Sequence, residues 1–490
     1  MRVGKIVLLV LIVILVYCPD IWAIPIRVGI MDNNFASLYH PYVQVRAQGQ
    51  VLVHDVQNGQ THTFDQVVAF HPSDQGIHIM TDSHNVLLGP QLAVSPSQDL
   101  KLQLTSLTRG GAASFNPAYR GILEIALIDS SKLQLINQVD IEEYLYGVLP
   151  SEMPVSWPME ALKAQAIASR TYVLRAMLEK TNTLQGYHLD DSLSWQMYNN
   201  RIEDPLAIAA VDQTQGLVML DASTRQIIQA FFHSTSSGVT VMACEVWGSS
   251  GEFFPSDHIP YLQSQSILKT PLVYDLTCED GVKLFLKDSA VVAYDQDSPW
   301  YRWQITLSRQ ELENIINANL AMRYQLQPEF VSTLGKDGTF YSKPIPFSGI
   351  GTLVDIEVIH RGAGGNIIML QISGTTGIYR IGKELNIRLL IRPSKIFSGG
   401  EDIVITRSDS PVVNHSILPS ATVVMEKEHN SEHELETVQF FGGGNGHGVG
   451  MSQWGARGMA LDGYNHLQIL ERFYRGIEFV DVNKVFKERQ

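Results

Sequence analysis

Short runs of alternating apolar and polar residues dominate the chain between residues 24 and 138. Residues 42–46 (YVQVR) and 101–105 (KLQLT) are two examples, and Gly and Asn turns separate such runs. A period of two is typical of strands that bury one face. The pattern therefore predicts a β-rich region over residues 24–138.

The pattern becomes helical over residues 140–180. Asp140 can cap a first helix that ends at Gly147, and Ser156 can cap a second, alanine-rich helix with a proline in its first turn. These signals predict two helices joined by residues 148–155.

The connection between these helices carries Glu152, with Pro150 and Pro154 on either side. Prolines fix their own φ and restrict the residue before them, so we expect a rigid loop. Rigid loops beside helix ends often hold catalytic groups, although a lone loop carboxylate is more often only solvated. Glu152 is therefore a candidate catalyst whose case depends on its neighbours.

The rest of the chain mixes strands, helices and loops. The patterns predict strands at 216–220, 226–233 and 353–359, helices at 308–321, 452–461 and 466–474, and a charged linker or loop at 426–436. We therefore predict an α+β fold with a β-rich N-terminal region (24–138), a central catalytic core of helices and strands (139–268), an inserted β-rich region (269–436) and a Gly-rich C-terminal motif returning to the core (437–490).

The N-terminus has the pattern of a secretory signal peptide. Arg2 and Lys5 precede an apolar run over residues 6–17, and residues 21–23 (IWA) follow polar breakers. The run is shorter than the ~20 residues that span a bilayer. Two outcomes stay open: cleavage near Ala23, which exports the protein to the periplasm or cell wall, and an uncleaved membrane anchor through residues 6–17.

Charge and cysteine content narrow the possible functions. The formal net charge of −14 argues against a general nucleic-acid or anionic-membrane binder, which needs clustered Lys and Arg. After cleavage of the signal, Cys244 and Cys278 would remain, and they could pair or stay free.

Residues 442–458 (GGGNGHGVGMSQWGARG) contain eight glycines, more than packing alone explains. Missing β-carbons permit close backbone approach to a ligand or to another strand. If a ligand approaches, His447, Gln453 and Trp454 are available to contact a sugar, with Trp454 as a stacking face. A purely structural glycine hinge is the alternative.

Two further segments offer polar side chains. The strand end at 231–238 presents His233 and Ser234, which can bind a polar ligand or simply form a turn. On the second predicted helix, Arg170 and Tyr172 could hold a sugar or carboxylate by planar hydrogen bonding and stacking. The alternative for Arg170 is a surface cation on a core helix.

Several motifs occur in one order along the chain: Arg120-Gly121, 139–154 (VDIEEYLYGVLPSEMP), 161–172 (ALKAQAIASRTY), 232–238 (FHSTSSG), 245–248 (EVWG), 260–262 (PYL) and 446–456 (GHGVGMSQWGA). Together they resemble the SpoIID/LytB family, which includes stage II sporulation protein D and the amidase enhancer LytB. The resemblance covers most of residues 24–480.

The resemblance implies a lytic transglycosylase that cuts peptidoglycan glycan strands, preferring strands stripped of stem peptides. It implies that Glu152 is the catalytic acid, that Arg170 is a functional arginine and that Tyr261 belongs to the active-site region. Such an enzyme needs one acid/base, which protonates the glycosidic oxygen and then takes the proton of the muramic C6 hydroxyl. Burial among Met153, Trp157 and the prolines should raise the pKa of Glu152 for this role.

Two other classes of function remain. One is a non-catalytic, glycan-binding enhancer of an N-acetylmuramoyl-L-alanine amidase, as for LytB. The other is a structural scaffold of the wall, which leaves the polar residues unexplained. Retention of Glu152 and Arg170 favours the enzyme. The expected partners are glycan strands and, in the second case, a cell-wall amidase.

One segment departs from the family pattern. Some relatives hold zinc with a His and two Cys, where this chain has residues 190–198 (DDSLSWQMY). Asp190, Ser194 and Trp195 stand at the ligand positions, so neither a structural zinc nor a cofactor is expected. Residues 269–436 match only loosely and resemble a long insertion.

Overall fold

The computed structural model describes residues 24–32, 35–98, 101–110, 113–179, 186–192, 195–200, 202–247 and 254–487. The signal segment inferred for residues 1–23 lies outside this part. Within it, no helix has the length and apolar character needed to cross a membrane. The fold is α+β, which confirms the prediction from sequence.

The first part of the chain forms two antiparallel sheets, also as predicted. One has the order β1-β13-β12-β9-β4-β5, with β2 beside β13, and the other has the order β11-β10-β3-β6-β7-β8. The strands are β1 Pro25–Gly29, β2 Tyr39–His40, β3 Val43–Arg46, β4 Val51–Asp55, β5 Gln60–Phe64, β6 Val67–Ser73, β7 Gly76–Met80, β8 Asn85–Leu88, β9 Gln91–Pro96, β10 Leu102–Leu104, β11 Ala118–Tyr119, β12 Ile122–Asp129 and β13 Lys132–Asp140.

The alternation predicted from sequence places every second side chain of these strands in a shared core. Val43 and Val45 of β3, and Val51 and Val53 of β4, are fully buried, whereas their neighbours are partly or fully exposed. This core continues without a break into the helices that follow. The β-rich region and the catalytic core therefore fold as one hydrophobic unit.

The middle of the chain carries short strands between helices. Its elements are α1 Ile141–Glu152, α2 Met159–Leu178, β14 Leu189–Asp190, α3 Pro205–Asp212, β15 Leu217–Asp221, β16 Phe232–His233 and α4 Ala243–Val246. Asp140 caps α1, as predicted, by accepting a hydrogen bond from the backbone N–H of Glu142.

Two predicted helix boundaries are wrong. Helix α1 does not end at Gly147 but continues through Pro150, so Glu152 is its last residue and not part of a loop. Helix α2 begins at Met159 after Pro158, with no side-chain cap, so Ser156 does not have the predicted role. Gly147 remains within helix α1, where its missing β-carbon makes room for the side chains of Asn200 and Tyr198.

The inserted region forms a second hydrophobic core between two five-stranded sheets. The sheet orders are β24-β23-β17-β26-β25 and β19-β18-β22-β21-β20. The elements are α5 Glu279–Lys287, β17 Trp303–Ser308, α6 Arg309–Leu326, a 3₁₀ turn Pro328–Phe330, β18 Val331–Leu334, β19 Phe340–Tyr341, β20 Leu353–Arg361, β21 Ile367–Gly374, β22 Gly377–Gly382, α7 Glu384–Leu390, α8 Lys395–Ser398, β23 Val404–Arg407, β24 Val412–Val413, β25 Val423–His429 and β26 Leu435–Gly442.

The charged segment 426–436 is not the predicted loop. It belongs to an antiparallel hairpin in which β25 pairs with β26 from Val423↔Gly442 onward. Its charged side chains lie on a solvent-facing strand surface, where Glu426 pairs with Lys283 and Lys287 at 2.8 and 2.6 Å. The predicted domain border at residue 436 therefore cuts through β26, which is part of the inserted unit.

The chain then returns to the first core. Its last elements are β27 Met451–Ser452, α9 Gln453–Leu461, α10 His466–Phe473, β28 Ile477–Asp481 and α11 Val482–Lys487. Strand β27 pairs in parallel with β16, and β28 pairs antiparallel with β15. These pairings place α9 beside the C-terminal end of α1.

Candidate active site

The carboxyl group of Glu152 is held by two distant parts of the chain. The backbone N–H of Met197 donates to Oε1 at 2.7 Å, and the side-chain amide of Gln453 donates to Oε2 at 3.2 Å. Gln453 is the first residue of α9 and lies 301 residues beyond Glu152 in the sequence. Three segments therefore orient one half-buried carboxyl group.

Burial raises the pKa of Glu152 above its ordinary value, and the two hydrogen bonds act in the opposite direction. This is the direction expected from the sequence. The causes of the shift include no charged side chain among the described residues, so no second carboxylate contributes to the raised pKa of Glu152 there. A half-buried acid with a raised pKa can hold a proton near neutral pH and also reach a ligand.

Tyr172 lies beside this group. Burial, and then the charge of Glu152, raise the pKa of Tyr172 to about 12. Its ring packs edge-on against Trp195, Phe231 and Phe232, with centroids 5.9–6.5 Å apart. Tyr172 therefore stays neutral and contributes a partly exposed aromatic wall near the acid.

The start of α9 is positioned by a buried aspartate that the sequence did not indicate. Asp295 accepts hydrogen bonds from the hydroxyl of Ser452 and from the backbone N–H and hydroxyl of Ser236, the last two at 3.2 and 2.8 Å. Ser452 in turn caps α9 by accepting from the N–H of Gly455 at 3.1 Å. Asp295 thus connects β27 to the 232–238 motif, and through Ser452 it sets the position of Gln453.

Trp454 follows Gln453 on α9, and its ring lies 4.9 Å from that of Trp157 in an edge-to-face arrangement. Both rings are half-buried. The backbone N–H of Trp454 donates to the carbonyl of Ser234 at 3.1 Å. Trp157 lies five residues beyond Glu152 in the sequence, and Trp454 directly follows Gln453, whose amide contacts the Glu152 carboxyl group. The structure therefore offers an aromatic surface where the sequence predicted a single stacking residue.

Arg170 does not have the predicted ligand-binding position. It is fully buried in α2, and its guanidinium binds both carboxylate oxygens of Glu142 at 2.8 and 2.6 Å. Another N–H donates to the carbonyl of Leu217 at 3.1 Å. Arg170 therefore connects α1, α2 and β15 inside the core and cannot contact a ligand in this conformation.

His233 is also buried, contrary to prediction. Its Nδ1 donates to the carbonyl of Val449 at 3.2 Å, and burial lowers its pKa to about 4. Its ring lies 5.6 Å from that of His447. Burial lowers the pKa of His447 well below its ordinary value, and its Nδ1 accepts the Val449 N–H at 3.1 Å. Both imidazoles are neutral at neutral pH, and only the half-buried His447 has surface for a ligand.

Ser234 and Tyr261 lie at the margin of the site. The hydroxyl of Ser234 contacts that of Thr235 at 3.2 Å. The hydroxyl of Tyr261 accepts from the backbone N–H of Gln229 at 3.2 Å, and burial raises its pKa. Both side chains therefore make local contacts, and neither forms a hydrogen bond with Glu152 in the described structure.

Residues 129–220 match the family model of the stage II sporulation protein, SpoIID. This range contains Glu152, Tyr172 and Met197. This match confirms the resemblance to the SpoIID/LytB family that the sequence motifs indicate. Residues 325–450 match a second model, a domain of unknown function (DUF8618), which covers most of the inserted unit and part of the glycine-rich segment.

Three curated proteins to which this chain is similar have different names. The stage II sporulation protein D of Bacillus subtilis is 25% identical over 419 residues, covering 81% of this chain and 93% of that protein. The amidase enhancer of the same species is 26% identical, covering 68% of this chain but only 39% of that protein. An uncharacterized protein of Brachyspira hyodysenteriae is 27% identical, covering 72% and 70%. These names support a function related to the cell wall.

The glycines of the C-terminal motif approach this chain's own backbone and not an open cleft. A β-carbon at Gly444 would lie 2.7 Å from the carbonyl oxygen of Thr235, and one at Gly448 would lie 2.7 Å from Cγ2 of Val241. Both glycines have φ above +80°. Of the two approaches that the sequence left open, to a ligand or to another strand, the contacts of these glycines fit the second.

No group of three or more His, Cys, Asp or Glu side chains with metal-binding spacing exists among the described residues. Asp190 lies in β14, and Trp195 packs against Tyr172, while Ser194 is outside the described part. Cys244 and Cys278 are free thiols, the first buried and the second exposed. The segment around residue 197 instead supplies the backbone donor for Glu152, a role that no side-chain pattern could have indicated.

Proposed function

We propose that this protein is a peptidoglycan lytic transglycosylase in which Glu152 is the catalytic acid and base. The observation that carries the proposal is the single, half-buried carboxyl group with a raised pKa, oriented by Met197 and Gln453. Hydrolysis by paired carboxylates needs a second acid within about 10 Å. Intramolecular cyclisation needs only one.

In the first step, protonated Glu152 donates its proton to the glycosidic oxygen as the C1–O bond breaks. The carboxylate that results is stabilised by the N–H of Met197 and the amide of Gln453, because hydrogen bonds to the charged form favour it. In the second step this carboxylate removes the proton of the muramic C6 hydroxyl as the oxygen bonds to C1. The proton returns to Glu152, and the product carries a 1,6-anhydro ring.

The aromatic residues around Glu152 suit a saccharide ligand. Trp157, Trp454 and Tyr172 present partly exposed rings, and the charge of Glu152 acts on the pKa of Tyr172. Aromatic rings pack against the apolar faces of sugar rings, and they also exclude water that would compete with the C6 hydroxyl. We propose glycan strands stripped of stem peptides as substrate, which requires export by the segment at residues 6–17.

The name of one relative favours a second candidate. The Bacillus subtilis relative named amidase enhancer matches 68% of this chain, although the match covers 39% of that protein's length. A glycan-binding enhancer of a cell-wall amidase would use the same aromatic surface without any proton transfer. The two candidates therefore differ in whether the acid is needed.

The test is the Glu152→Gln variant incubated with peptide-free glycan strands and analysed by mass spectrometry. The parent should release products with 1,6-anhydromuramic ends, and the variant should lose ~10²–10⁴ of the rate or more while still binding the strands. Glu143→Gln is the matched control, because Glu143 lies on the same helix and pairs with Arg120. It should leave the rate unchanged.

Other outcomes assign a different function. Reducing ends in place of anhydro ends would indicate a hydrolase. A parent that cleaves nothing but accelerates an amidase would establish the enhancer, and equal activity of parent and Glu152→Gln would remove Glu152 from the mechanism.

A further inference from the structure

A cation lies against the indoles of Trp157 and Trp454. The guanidinium carbon of Arg457 is 5.1 Å from the ring centroid of Trp454 and 5.9 Å from that of Trp157. Arg457 follows Gln453 by four residues on α9, so both side chains project from the same helix face. We refer to these residues as the Trp157–Trp454–Arg457 cluster.

The position of the cluster relative to the acid follows from Gln453. The amide of Gln453 touches Glu152, and Arg457 lies one helical turn, about 5–6 Å, further along the same face. Arg457 therefore lies on the same face of α9 as the amide that contacts the carboxyl group. A ligand that reaches Glu152 would contact the cluster with a neighbouring residue of its chain.

The charge of Arg457 is available to a ligand. Its only ion pair in the described structure is with Asp297 at 3.0 Å, and the side chain of Asp297 is 55% exposed. Exposed ion pairs contribute little, since water competes for both partners. The stacked guanidinium keeps donors free at its edge, and it is weakly hydrated, so an incoming carboxylate can replace Asp297.

We infer that the Trp157–Trp454–Arg457 cluster is a subsite for an acidic sugar residue, with a ring face on the indoles and a carboxylate on Arg457. This inference rests on the proposed function and deepens it. In a peptidoglycan strand the residue that fits is muramic acid after removal of its stem peptide, because only then is its lactyl carboxylate free. The subsite thus selects stripped strands by charge.

The test compares two ligands of equal length on the Glu152→Gln background, which prevents cleavage. One is a peptide-free tetrasaccharide of alternating N-acetylglucosamine and N-acetylmuramic acid. The other is the N-acetylglucosamine tetramer, which has the same backbone without carboxylates. Calorimetric titration at low salt should show about tenfold tighter binding of the acidic ligand. The preference should weaken at high salt.

Variants of the ion pair then locate the preference. Arg457→Gln should reduce the ratio of the two affinities to about one and leave binding of the neutral tetramer unchanged. Asp297→Asn removes the competing carboxylate and should strengthen binding of the acidic ligand. Arg457→Lys should retain part of the preference, because an ammonium keeps the charge but not the planar fork.

The subsite is refuted if Arg457→Gln keeps the preference, if it weakens both ligands equally, or if Asp297→Asn weakens the acidic ligand. A protein that cleaves strands but shows no charge preference would refute the subsite alone. A protein that prefers the acidic ligand but cleaves nothing would refute the transglycosylase and leave the subsite intact.

Discussion

Replacement of Gly450 by Ala tests whether the glycine-rich motif holds the fold together. Gly450 has φ +70°, and a β-carbon there would overlap the carbonyl oxygen of Phe231. That oxygen accepts hydrogen bonds from the N–H of Met451 at 3.1 Å and the hydroxyl of Tyr474 at 2.7 Å. The new methyl group must therefore displace the backbone that joins β16 to β27.

The expected loss of stability has two parts. The left-handed backbone costs about 1 kcal/mol for alanine. Displacement of the Phe231 carbonyl adds the strain of overpacking and weakens two hydrogen bonds, together about 2–4 kcal/mol. Gly476→Ala is the matched control, since Gly476 has φ +63° and nothing within 4 Å of its added β-carbon. Gly476→Ala should lose only the stability that the left-handed backbone costs, about 1 kcal/mol.

The assay is urea unfolding of the parent and both variants, followed by tryptophan fluorescence. The strands beside both glycines pack on the first core, so the same transition reports on each. Gly450→Ala should lower the free energy of unfolding by about 3–5 kcal/mol and Gly476→Ala by about 1 kcal/mol, with similar slopes. Equal losses would refute the close-contact argument. A stable Gly450→Ala variant that fails to bind glycan would restore the ligand-contact role.

Three further predictions follow from the site. Arg170→Lys should lower the free energy of unfolding by about 3 kcal/mol, because an ammonium group cannot form the bidentate contact with Glu142. The affinity for glycan, measured by titration, should stay unchanged. A loss of affinity without a loss of stability would contradict the structural role. Gln453→Met removes a hydrogen bond that lowers the pKa of Glu152, so the high-pH limb of the profile of kcat against pH should move to higher pH. The value of kcat should also fall about tenfold. A shift of the limb to lower pH would contradict this assignment of the hydrogen bond. Burial raises the pKa of Asp295 from 3.8 to about 6, so the stability contributed by its protonated form is full below pH 3.8 and is lost as the pH rises through about 6. The free energy of unfolding, measured across this pH range, should change less with pH in Asp295→Asn than in the parent. An unchanged pH dependence would show that Asp295 is not the group responsible.

The local pattern of the sequence determined much of the architecture. The alternation in residues 24–138 predicted a β-rich region, because a period of two buries one face of a strand, and the structure has two sheets there. The helix predicted from Ser308 is α6, and Ser308 and Glu311 form reciprocal capping bonds at its start. Glu152 was a candidate catalyst because of its flanking prolines, and its role as the acid was implied by the resemblance to the SpoIID/LytB family.

Contacts between distant segments were decided only by the tertiary structure. A periodicity shows that a side chain points inward but not what it meets there, so Arg170 could not be assigned to Glu142, nor Gln453 to Glu152 across 301 residues. The glycines were ambiguous for the same reason. A missing β-carbon indicates that some group approaches the backbone closely, but not which group it is. Backbone donors such as the N–H of Met197 carry no sequence signal at all. The residues of the site were therefore predictable as types, and their partners were set by how the two cores fold together.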